Sequence, residues 1–528
     1  MRPILAALVA ALLAATPAAA APPDGFDARV EALMKATEAP GMAIAIVEDG
    51  RVTLARGYGV RRIGQAAKVD ADTIFMTGST GKAFTAAALA TLVDAGRIGW
   101  DDKVIDHLPG FQMYDAWVTR EMTVRDLLVH RSGLGLGMGD LLMVPRGKLS
   151  MKEVVGRLRY MKPATSFRNN YAYDNILYTV AGALIEEVSG QRFEDYVSAH
   201  VFRPAGMADA TAEMARQLSE PNRAQPHARF GGVTRGTGPQ KLLDERDRLG
   251  QSGSPAGLLA ASANDMARWL QVQLAGGTTP EGKRVFSAAT AKEMWTPVTP
   301  IAPSSWPAPL TGINPTYDSY ALGWQVRDYR GARMVWHAGG LFGFTSVVVM
   351  LPEKKVGFAL LLNNEEMEPR LGLMYELLDH YLGAPAATAG EDWPSRFAAF
   401  KRARIAGAEA AVAKATASPA KAGPSLALAG YAGRYDDPWY GTMAVSSDAR
   451  GLAVDFTTTP GMTGRLRHHQ YDTFVADFND PAIEDAYLTF SLDAEGKVAR
   501  VTAKPVSPIA DFSFDYADLL FTPQAKKP

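Results

Sequence analysis

The residues best suited to chemistry are a serine and a lysine three positions apart, Ser79 and Lys82, in the segment Phe75-Met76-Thr77-Gly78-Ser79-Thr80-Gly81-Lys82. An Ala- and Leu-rich run without proline or glycine follows as far as Gly96, which predicts a helix that begins near Ser79. On a helix this spacing puts the hydroxyl and the amine on one face. A lysine whose pKa is lowered by burial can take the serine proton, and N–H groups at the helix start can stabilise an oxyanion. The spacing is common by chance, so it needs partners elsewhere in the chain.

Two later segments can supply such partners. Tyr173 and Asn175 lie in a polar, turn-rich stretch between two helical patterns. A tyrosine can relay a proton if positive neighbours lower its pKa, and an asparagine can hold a substrate amide. His337 joins two strand-like runs and is followed by Gly339 and Gly340, which let the backbone approach a ligand closely. His130, which ends a short amphipathic pattern, is most simply interpreted as part of a cap and turn.

The elements that must position these residues form two regions. Strand patterns near both ends of residues 28–383 bracket a largely helical middle, which predicts one α/β (α+β) domain whose sheet is built from both chain ends. The predicted elements are a hairpin at 42–58, helices at 79–96, 123–130, 151–160, 177–188, 264–273 (capped by Ser262) and 375–382, and strands at 321–329, 334–336, 345–351 and 356–363. The loops 134–150, 215–255 and 276–318 are expected to select the substrate.

The rest of the chain has a different composition. Residues 384–427 are rich in Ala, Lys, Arg and Pro and are interpreted as a linker with an exposed helix at 396–414. Residues 428–525 contain six or seven short strand patterns, which indicate a small β-barrel or sandwich. This C-terminal part is assigned no catalytic role.

Composition excludes several classes of function. The chain has 528 residues, is 47% hydrophobic and carries a net charge of −1, so nothing in its charge suggests a nucleic-acid partner. It has no cysteine, which excludes a thiol nucleophile, a Cys-ligated zinc and a lipidated cysteine. The sequence holds no Gly-x-Ser-x-Gly elbow, phosphate loop or His-Glu-x-x-His motif, and we expect neither a metal nor an organic cofactor.

The first 20 residues have the pattern of a secretory signal peptide. A positive start leads into a short apolar run and an exit at Ala18-Ala19-Ala20. The apolar run is short for a membrane anchor, although an uncleaved anchor is the alternative, and no later stretch is long enough to span a bilayer. We therefore expect an exported, periplasmic protein, with secretion as the alternative.

Taken in order, these segments resemble the superfamily of serine β-lactamases, penicillin-binding proteins, DD-peptidases, D-aminopeptidases and family VIII esterases. Ser79-Thr80-Gly81-Lys82 resembles its Ser-x-x-Lys motif, Tyr173-Asp174-Asn175 its Tyr-x-Asn element, and His337-Ala338-Gly339 stands in place of Lys-Thr-Gly. The C-terminal part is similar to the small β domain often appended to such hydrolases.

The resemblance implies a covalent route and a β-lactamase/transpeptidase-like fold. Ser79 would attack a carbonyl while Lys82 and Tyr173 share the proton transfers, and the N–H groups of Ser79 and Gly340 would form an oxyanion hole. Asn175 would hold the acyl side chain, and His337 would shape and polarise the leaving-group side. Gly339 and Gly340 would also belong to the substrate-binding residues.

The third motif departs from the family pattern and bears on the substrate. Lys-Thr-Gly places a permanent cation that suits a β-lactam or peptide carboxylate, whereas a histidine is charged only at lower pH. Relatives with His-x-Gly include D-aminopeptidases and DD-peptidases, which favours peptide or amide bonds, including small peptides with D-residues. Ester or lactone cleavage, β-lactam hydrolysis and a peptidoglycan- or peptide-binding pseudoenzyme remain the alternatives.

Overall fold

In the computed structural model, residues 22–232, 234–244, 250–385, 390–417 and 422–524 are described. The predicted signal peptide and parts of the predicted linker lie outside these ranges. No helix within them is long and apolar enough to cross a bilayer.

An eight-stranded antiparallel sheet forms the centre of the first domain. The sheet joins strands from the two ends of the domain, because the hairpin Gly41–Glu48 and Arg51–Gly59 pairs with the late strand Val356–Leu362. From one edge to the other, the sheet runs Arg51–Gly59, Gly41–Glu48, Val356–Leu362, Phe344–Leu351, Ala332–Leu341, Gln325–Tyr329, Asp318–Tyr320 and Thr299–Pro300. This arrangement confirms the predicted α/β class with a sheet built from both chain ends.

The helices cover the sheet and build a helical region beside it. The α-helices in the described residues are Phe26–Thr37, Lys82–Asp94, Val104–His107, Ala116–Glu121, Met151–Arg157, Ile176–Ser189, Phe193–Val197, Arg203–Ala205, Met214–Ser219, Ala263–Leu274, Ala288–Met294, Leu373–Tyr381 and Trp393–Ala417. Two-residue strands at Phe75–Met76 and Ala260–Ala261 pair with each other just before the predicted nucleophile.

The helix Lys82–Asp94 is buried on nearly all sides. Its alanines and leucines favour helix, and it ends before Gly96, which takes a left-handed φ of 66°. Phe84 packs against Trp269 with ring centroids 4.7 Å apart, which ties this helix to Ala263–Leu274. That second helix has the predicted Ser262 cap, whose hydroxyl accepts from Asp265 N–H while the Asp265 carboxylate accepts from Ser262 N–H.

Three predicted elements differ from the structure. Of the strand expected at 321–329, only Gln325–Tyr329 is a strand. Residues 334–336 were expected to form a short strand ending before His337, but one strand runs from Ala332 to Leu341 because its far half pairs with Phe344–Leu351 through a tight turn at Gly343. The expected helix at 123–130 is only a 3₁₀ turn, Arg125–Leu128.

The C-terminal region is a closed barrel of eight antiparallel strands, so the barrel alternative is confirmed over the sandwich. The strands are Gly433–Asp437, Gly441–Asp448, Gly451–Phe456, Thr463–Gln470, Thr473–Phe478, Ala486–Leu492, Val498–Pro505 and Leu520–Pro523. The sequence pattern did not predict the last of them. Large aromatic side chains such as Tyr440, Phe456 and Phe521 fill the interior.

The helix Trp393–Ala417 is not the freely exposed linker helix that composition indicated. Its Phe397 is completely buried and stacks on Tyr375 of the first domain, with centroids 5.9 Å apart. The helix is therefore docked on the first domain, and its Lys401 and Ile405 line the large cavity described below.

Candidate active site

Ser79 lies in a 3₁₀ turn, Gly78–Gly81, directly before the α-helix that begins at Lys82. Gly78 has a left-handed φ of 54°, and a Cβ at this position would lie 2.8 Å from the amide nitrogen of Gly340. The absence of a side chain therefore lets the turn pack backbone against backbone on the strand Ala332–Leu341. Ser79 itself remains partly accessible from the cavity.

Lys82 is completely buried and its amine lies beside the serine hydroxyl. Lys82 Nζ is 3.1 Å from Ser79 Oγ, 2.6 Å from Asn175 Oδ1 and 2.7 Å from the carbonyl oxygen of Ala256. The last two atoms only accept hydrogen bonds, so a neutral amine can donate to both and keep its lone pair for the serine proton.

Burial also lowers the pKa of Lys82, to about 7. Desolvation of the ammonium is the main cause, and the negative charges of Asp140 and Asp174 oppose it. A large fraction of the amine is therefore neutral near pH 7, as a general base requires.

Tyr173 completes the group around the serine. Its side chain interacts with that of Ser79, and Lys82 Nζ lies 4.8 Å from the centre of its ring. Positive neighbours do not lower the pKa of Tyr173, because desolvation raises it well above its ordinary value. Tyr173 is therefore a neutral phenol that can pass on a proton as a hydrogen-bond donor and acceptor, not a phenolate base.

Asn175 bridges the lysine to a buried carboxyl group, Asp140, which no sequence motif marks. Asn175 Nδ2 donates to Asp140 Oδ2 over 2.8 Å, and Ser513 Oγ of the barrel domain donates to the same oxygen over 2.7 Å. Desolvation raises the pKa of Asp140 to about 7. The Asn175 amide, which was expected to hold the acyl side chain, thus has both of its polar atoms engaged inside the protein.

His337 does not present a cation to the cavity. Its Nδ1 lies 2.7 Å from the carbonyl oxygen of Ala338, which requires a proton on Nδ1, and its Nε2 lies 2.7 Å from the hydroxyl of Tyr320, which can donate to it. Burial lowers the pKa of the imidazole to about 3. The direct substrate contact predicted for His337 is therefore not supported by its position; it is a neutral support behind the strand.

His130 has a larger role than the predicted cap and turn. It is fully buried with a φ of 56°, and its ring lies 4.2 Å from that of Tyr173 and 4.3 Å from that of Tyr320. The backbone N–H of Asp174 donates to His130 Nδ1 over 3.1 Å. These contacts fix the loop that carries Tyr173.

Gly339 and Gly340 bring the strand against the serine turn. A Cβ on Gly339 would lie 3.1 Å from the amide nitrogen of Ser79 and 2.3 Å from the carbonyl oxygen of Thr77, so only glycine fits at this contact. Gly340 is exposed, a Cβ on it would meet no atom within 4 Å, and it lines the same cavity as Ser79. The two backbone amides of Ser79 and Gly340 therefore lie at one edge of the cavity.

The cavity has a volume of about 520 Å³ and is built by three parts of the chain. The barrel domain contributes Phe512 and Ser513 to the lining. The ring of Phe512 packs on that of Tyr173, with the ring centroids 5.8 Å apart. This domain, to which the sequence assigned no catalytic role, therefore forms one wall of the cavity. The loops 134–150 and 215–255 also contribute to the lining, whereas no described residue of 276–318 does.

The electrostatics of Lys82 predict a pH profile. The rate of Ser79 acylation should rise with pH through an apparent pKa near 7 as Lys82 loses its proton. Because the charge of Asp140 holds the Lys82 pKa up, Asp140→Asn should move the midpoint to lower pH while still accepting from Asn175. The measurement is kcat/KM for p-nitrophenyl butyrate against pH; a midpoint that stays in place or moves up would contradict this electrostatic assignment.

Comparisons with known proteins agree with the fold. Residues 26–383 match the family model Beta-lactamase, and residues 417–523 match a domain of unknown function, DUF3471. An unguisins hydrolase (ungD) of Aspergillus violaceofuscus is 29% identical over 465 residues, which cover 83% of this chain and 79% of that protein. Penicillin-binding protein 4 of Amycolatopsis lactamdurans is 31% identical over 337 residues, 63% of this chain and 84% of the relative.

Solved structures share the fold at low sequence identity. The octameric penicillin-binding protein homologue from Pyrococcus abyssi superposes with a TM-score of 0.58 at 19% identity, covering 94% of this chain and 98% of that one. A class C beta-lactamase superposes with a TM-score of 0.55 at 17% identity, covering 69% of this chain and 96% of that one. With its sheet, its helices and the matched span 26–383, this chain belongs to the beta-lactamase family of hydrolases and penicillin-binding proteins.

Proposed function

We propose that this protein is a serine hydrolase that acts through an acyl-enzyme on Ser79, with Lys82 as general base. The observation that carries the proposal is the buried Lys82 amine, 3.1 Å from Ser79 Oγ, with a pKa of about 7. A buried ionisable group with a strongly shifted pKa beside a nucleophile in a cavity is the arrangement expected of a catalytic pair.

In acylation, Ser79 Oγ forms a bond to the substrate carbonyl carbon while its proton moves to the neutral Lys82 amine. The negative charge on the carbonyl oxygen is stabilised by the N–H groups of Ser79 and Gly340. The bond to the leaving nitrogen or oxygen then breaks, and that atom receives the proton from Lys82 through the Tyr173 hydroxyl, which interacts with the Ser79 side chain. The lysine is neutral again at the end of this half-reaction.

Deacylation follows the same path with water as the nucleophile. The neutral amine takes a proton from water as its oxygen bonds to the acyl carbon, and Ser79 Oγ leaves with that proton. Asn175 and Asp140 hold Lys82 in place through both steps.

For the substrate, we propose peptide or amide bonds, including those of small peptides with D-residues. The support is the His337-Ala338-Gly339 motif and the names of two relatives, an unguisins hydrolase and a penicillin-binding protein. A carboxylesterase or lactone hydrolase is the second candidate, favoured by the partly apolar cavity wall from Phe342 and Phe512, and β-lactam hydrolysis is a third. A binding protein without turnover is the non-enzyme alternative.

We also propose export to the periplasm through residues 1–20, and a division into a catalytic domain at 28–383, a linker at 384–427 and a barrel domain at 428–525. The eight-stranded barrel and the composition of the chain's first residues support these assignments.

Parallel assays separate the candidates. The purified chain is offered D-alanyl-p-nitroanilide, p-nitrophenyl butyrate and a chromogenic cephalosporin, with Ser79→Ala as the control. We expect Ser79-dependent amide turnover. Ester turnover without any amide turnover would replace the amidase proposal with the esterase proposal. The absence of turnover with all of these substrates would favour the binding protein.

A further inference from the structure

The barrel segment 511–515, which connects the last two barrel strands, packs against the loop 137–140 of the first domain. A Cβ at Gly137, whose φ is left-handed at 72°, would lie 2.5 Å from the carbonyl oxygen of Phe512, so the two backbones are in direct contact. The N–H of Gly137 also donates to the carbonyl oxygen of Tyr173 over 2.9 Å. The loop 137–140 therefore lies between the barrel domain and the catalytic tyrosine.

Two buried carboxyl groups lie at this contact, Asp140 on the loop and Asp515 on the barrel segment. Asp515 Oδ2 accepts from the N–H of Gly139 over 2.6 Å, and each carboxyl group has one oxygen that is buried without a hydrogen-bond partner among the described residues. Desolvation raises the pKa of both groups, and the charge of Asp140 raises the pKa of Asp515 further. The charge of Asp511, an exposed acid on the same segment, raises the pKa of Asp140. Ionisation of Asp140 thus depends on the groups that face it.

The hydrogen-bond donors around Asp140 favour its ionised form. Ser513 Oγ and Asn175 Nδ2 both donate to Asp140 Oδ2, over 2.7 Å and 2.8 Å. Both hydrogen bonds lower the pKa of Asp140, and so does the positive charge of Lys82. One of the two donors that stabilise this carboxylate therefore comes from the barrel domain.

The state of the Asp140 carboxylate reaches Lys82 in two ways. Because the Asn175 amide donates to the carboxylate through Nδ2, its Oδ1 is turned to Lys82 Nζ, 2.6 Å away. The negative charge of Asp140 also raises the pKa of Lys82 against desolvation. Orientation and charge thus connect the hydroxyl of Ser513 to the amine that is proposed to activate the nucleophile.

We propose that Ser513 is a positioning residue of the reaction, through which the barrel domain holds the Asp140 carboxylate and, by way of Asn175, the Lys82 amine beside Ser79. The barrel domain is then part of the machinery that sets the proton affinity of the general base, besides forming a wall of the cavity. Ser513 acts through Asp140, so its effect must disappear once residue 140 cannot ionise. This inference rests on the proposed function and adds a residue to the same site.

The test measures, on the full chain, how the rate of Ser79 labelling by a neutral fluorophosphonate depends on pH. Ser513→Ala removes a donor, so the pKa of Asp140 rises and Lys82 loses part of the charge that holds its own pKa up. The midpoint should move to lower pH by roughly 0.5–1 unit, since a charge in direct contact shifts a pKa by about 1–3 units and Asp140 acts across the Asn175 amide. Ser513→Thr keeps the hydroxyl and should keep the wild-type midpoint. A midpoint does not depend on how much of the sample is folded.

Asp511→Asn should move the midpoint in the opposite direction. It removes the charge that raises the pKa of Asp140, while the asparagine oxygen can still accept from the N–H of Ser513, now 2.9 Å from Asp511 Oδ1. The upward shift should be smaller than the effect of Ser513→Ala because Asp511 is exposed and its charge is screened. In an Asp140→Asn background neither substitution should move the midpoint, because residues that act through a shared partner are not additive.

Ser507→Ala is the matched control. Ser507 is a half-buried serine of the same connection, its hydroxyl accepts from the N–H of Ile509 over 3.3 Å, and it does not line the cavity. It should keep the wild-type midpoint, and an equal shift in Ser507→Ala would overturn the assignment to Ser513. So would a Ser513→Ala midpoint that stays in place or moves up, one that still moves in the Asp140→Asn background, or a downward shift in Asp511→Asn. These outcomes leave the proposed function intact, whereas a wild type without Ser79 labelling at any pH rejects that function itself.

Discussion

Lys82→Met should lower kcat/KM for p-nitrophenyl butyrate by a factor of about 10² to 10⁴, the usual contribution of a general base. Methionine has a similar length and no charge, so it can occupy the fully buried position of Lys82. It cannot accept the Ser79 proton, and it leaves the Asn175 amide oxygen and the Ala256 carbonyl oxygen without their donor. The measurement is steady-state kinetics on protein whose circular dichroism spectrum matches the wild type.

Lys103→Met controls for the loss of a lysine. Lys103 is a half-buried surface residue whose ammonium pairs with Glu121, 2.8 Å away, and neither residue lines the cavity. This variant should keep kcat/KM within about twofold, since exposed pairs contribute little to stability. A Lys82→Met protein that is equally active would show that another group takes the serine proton.

Gly339→Ala should be the most damaging change that adds only one carbon atom. The new Cβ would lie 2.3 Å from both the Thr77 carbonyl oxygen and Ser346 Oγ, and 3.1 Å from the Ser79 amide nitrogen. The strand and the serine turn must separate to admit it, which moves the Gly340 N–H away from the oxyanion position. Because a displacement of about 1 Å in an active site can cost 10²-fold in rate, we expect a loss of that order in kcat.

Gly156→Ala is the matched control for this substitution. Gly156 lies inside the helix Met151–Arg157, and a Cβ there meets no atom within 4 Å. Alanine in a helix interior is favoured over glycine by about 0.5–1 kcal/mol, so this variant should be as active as the wild type and slightly more stable to heat. Wild-type kcat in Gly339→Ala would show that the tight contact of strand and turn does not position the reacting groups.

Local sequence patterns predicted many helices and strands of this protein because these elements depend on interactions between residues close together in the sequence. The Ser262 cap is visible in the sequence because a serine followed three residues later by an acid satisfies two N–H groups at a helix start. If a helix begins near Ser79, the three-residue spacing places Ser79 and Lys82 one turn apart. The alternation of apolar residues after position 428 similarly predicts short strands, although it does not distinguish a closed barrel from a sandwich.

What the sequence could not predict are contacts between distant segments. Asp140 lies in a loop rich in glycine and methionine, and only the folded chain brings Ser513, 373 residues later, to its carboxylate. The neutrality of His337 likewise depends on burial and on Tyr320, which no spacing reveals.

Intact-protein mass spectrometry after exposure to a fluorophosphonate tests most directly whether a neutral Lys82 amine activates the Ser79 hydroxyl. We predict one adduct per chain, mapped by peptide digestion to Ser79, with a labelling rate that rises through an apparent pKa near 7. The adduct should be absent in Ser79→Ala and strongly slowed in Lys82→Met. An adduct on another residue, or no adduct on folded protein across this pH range, would contradict this mechanism.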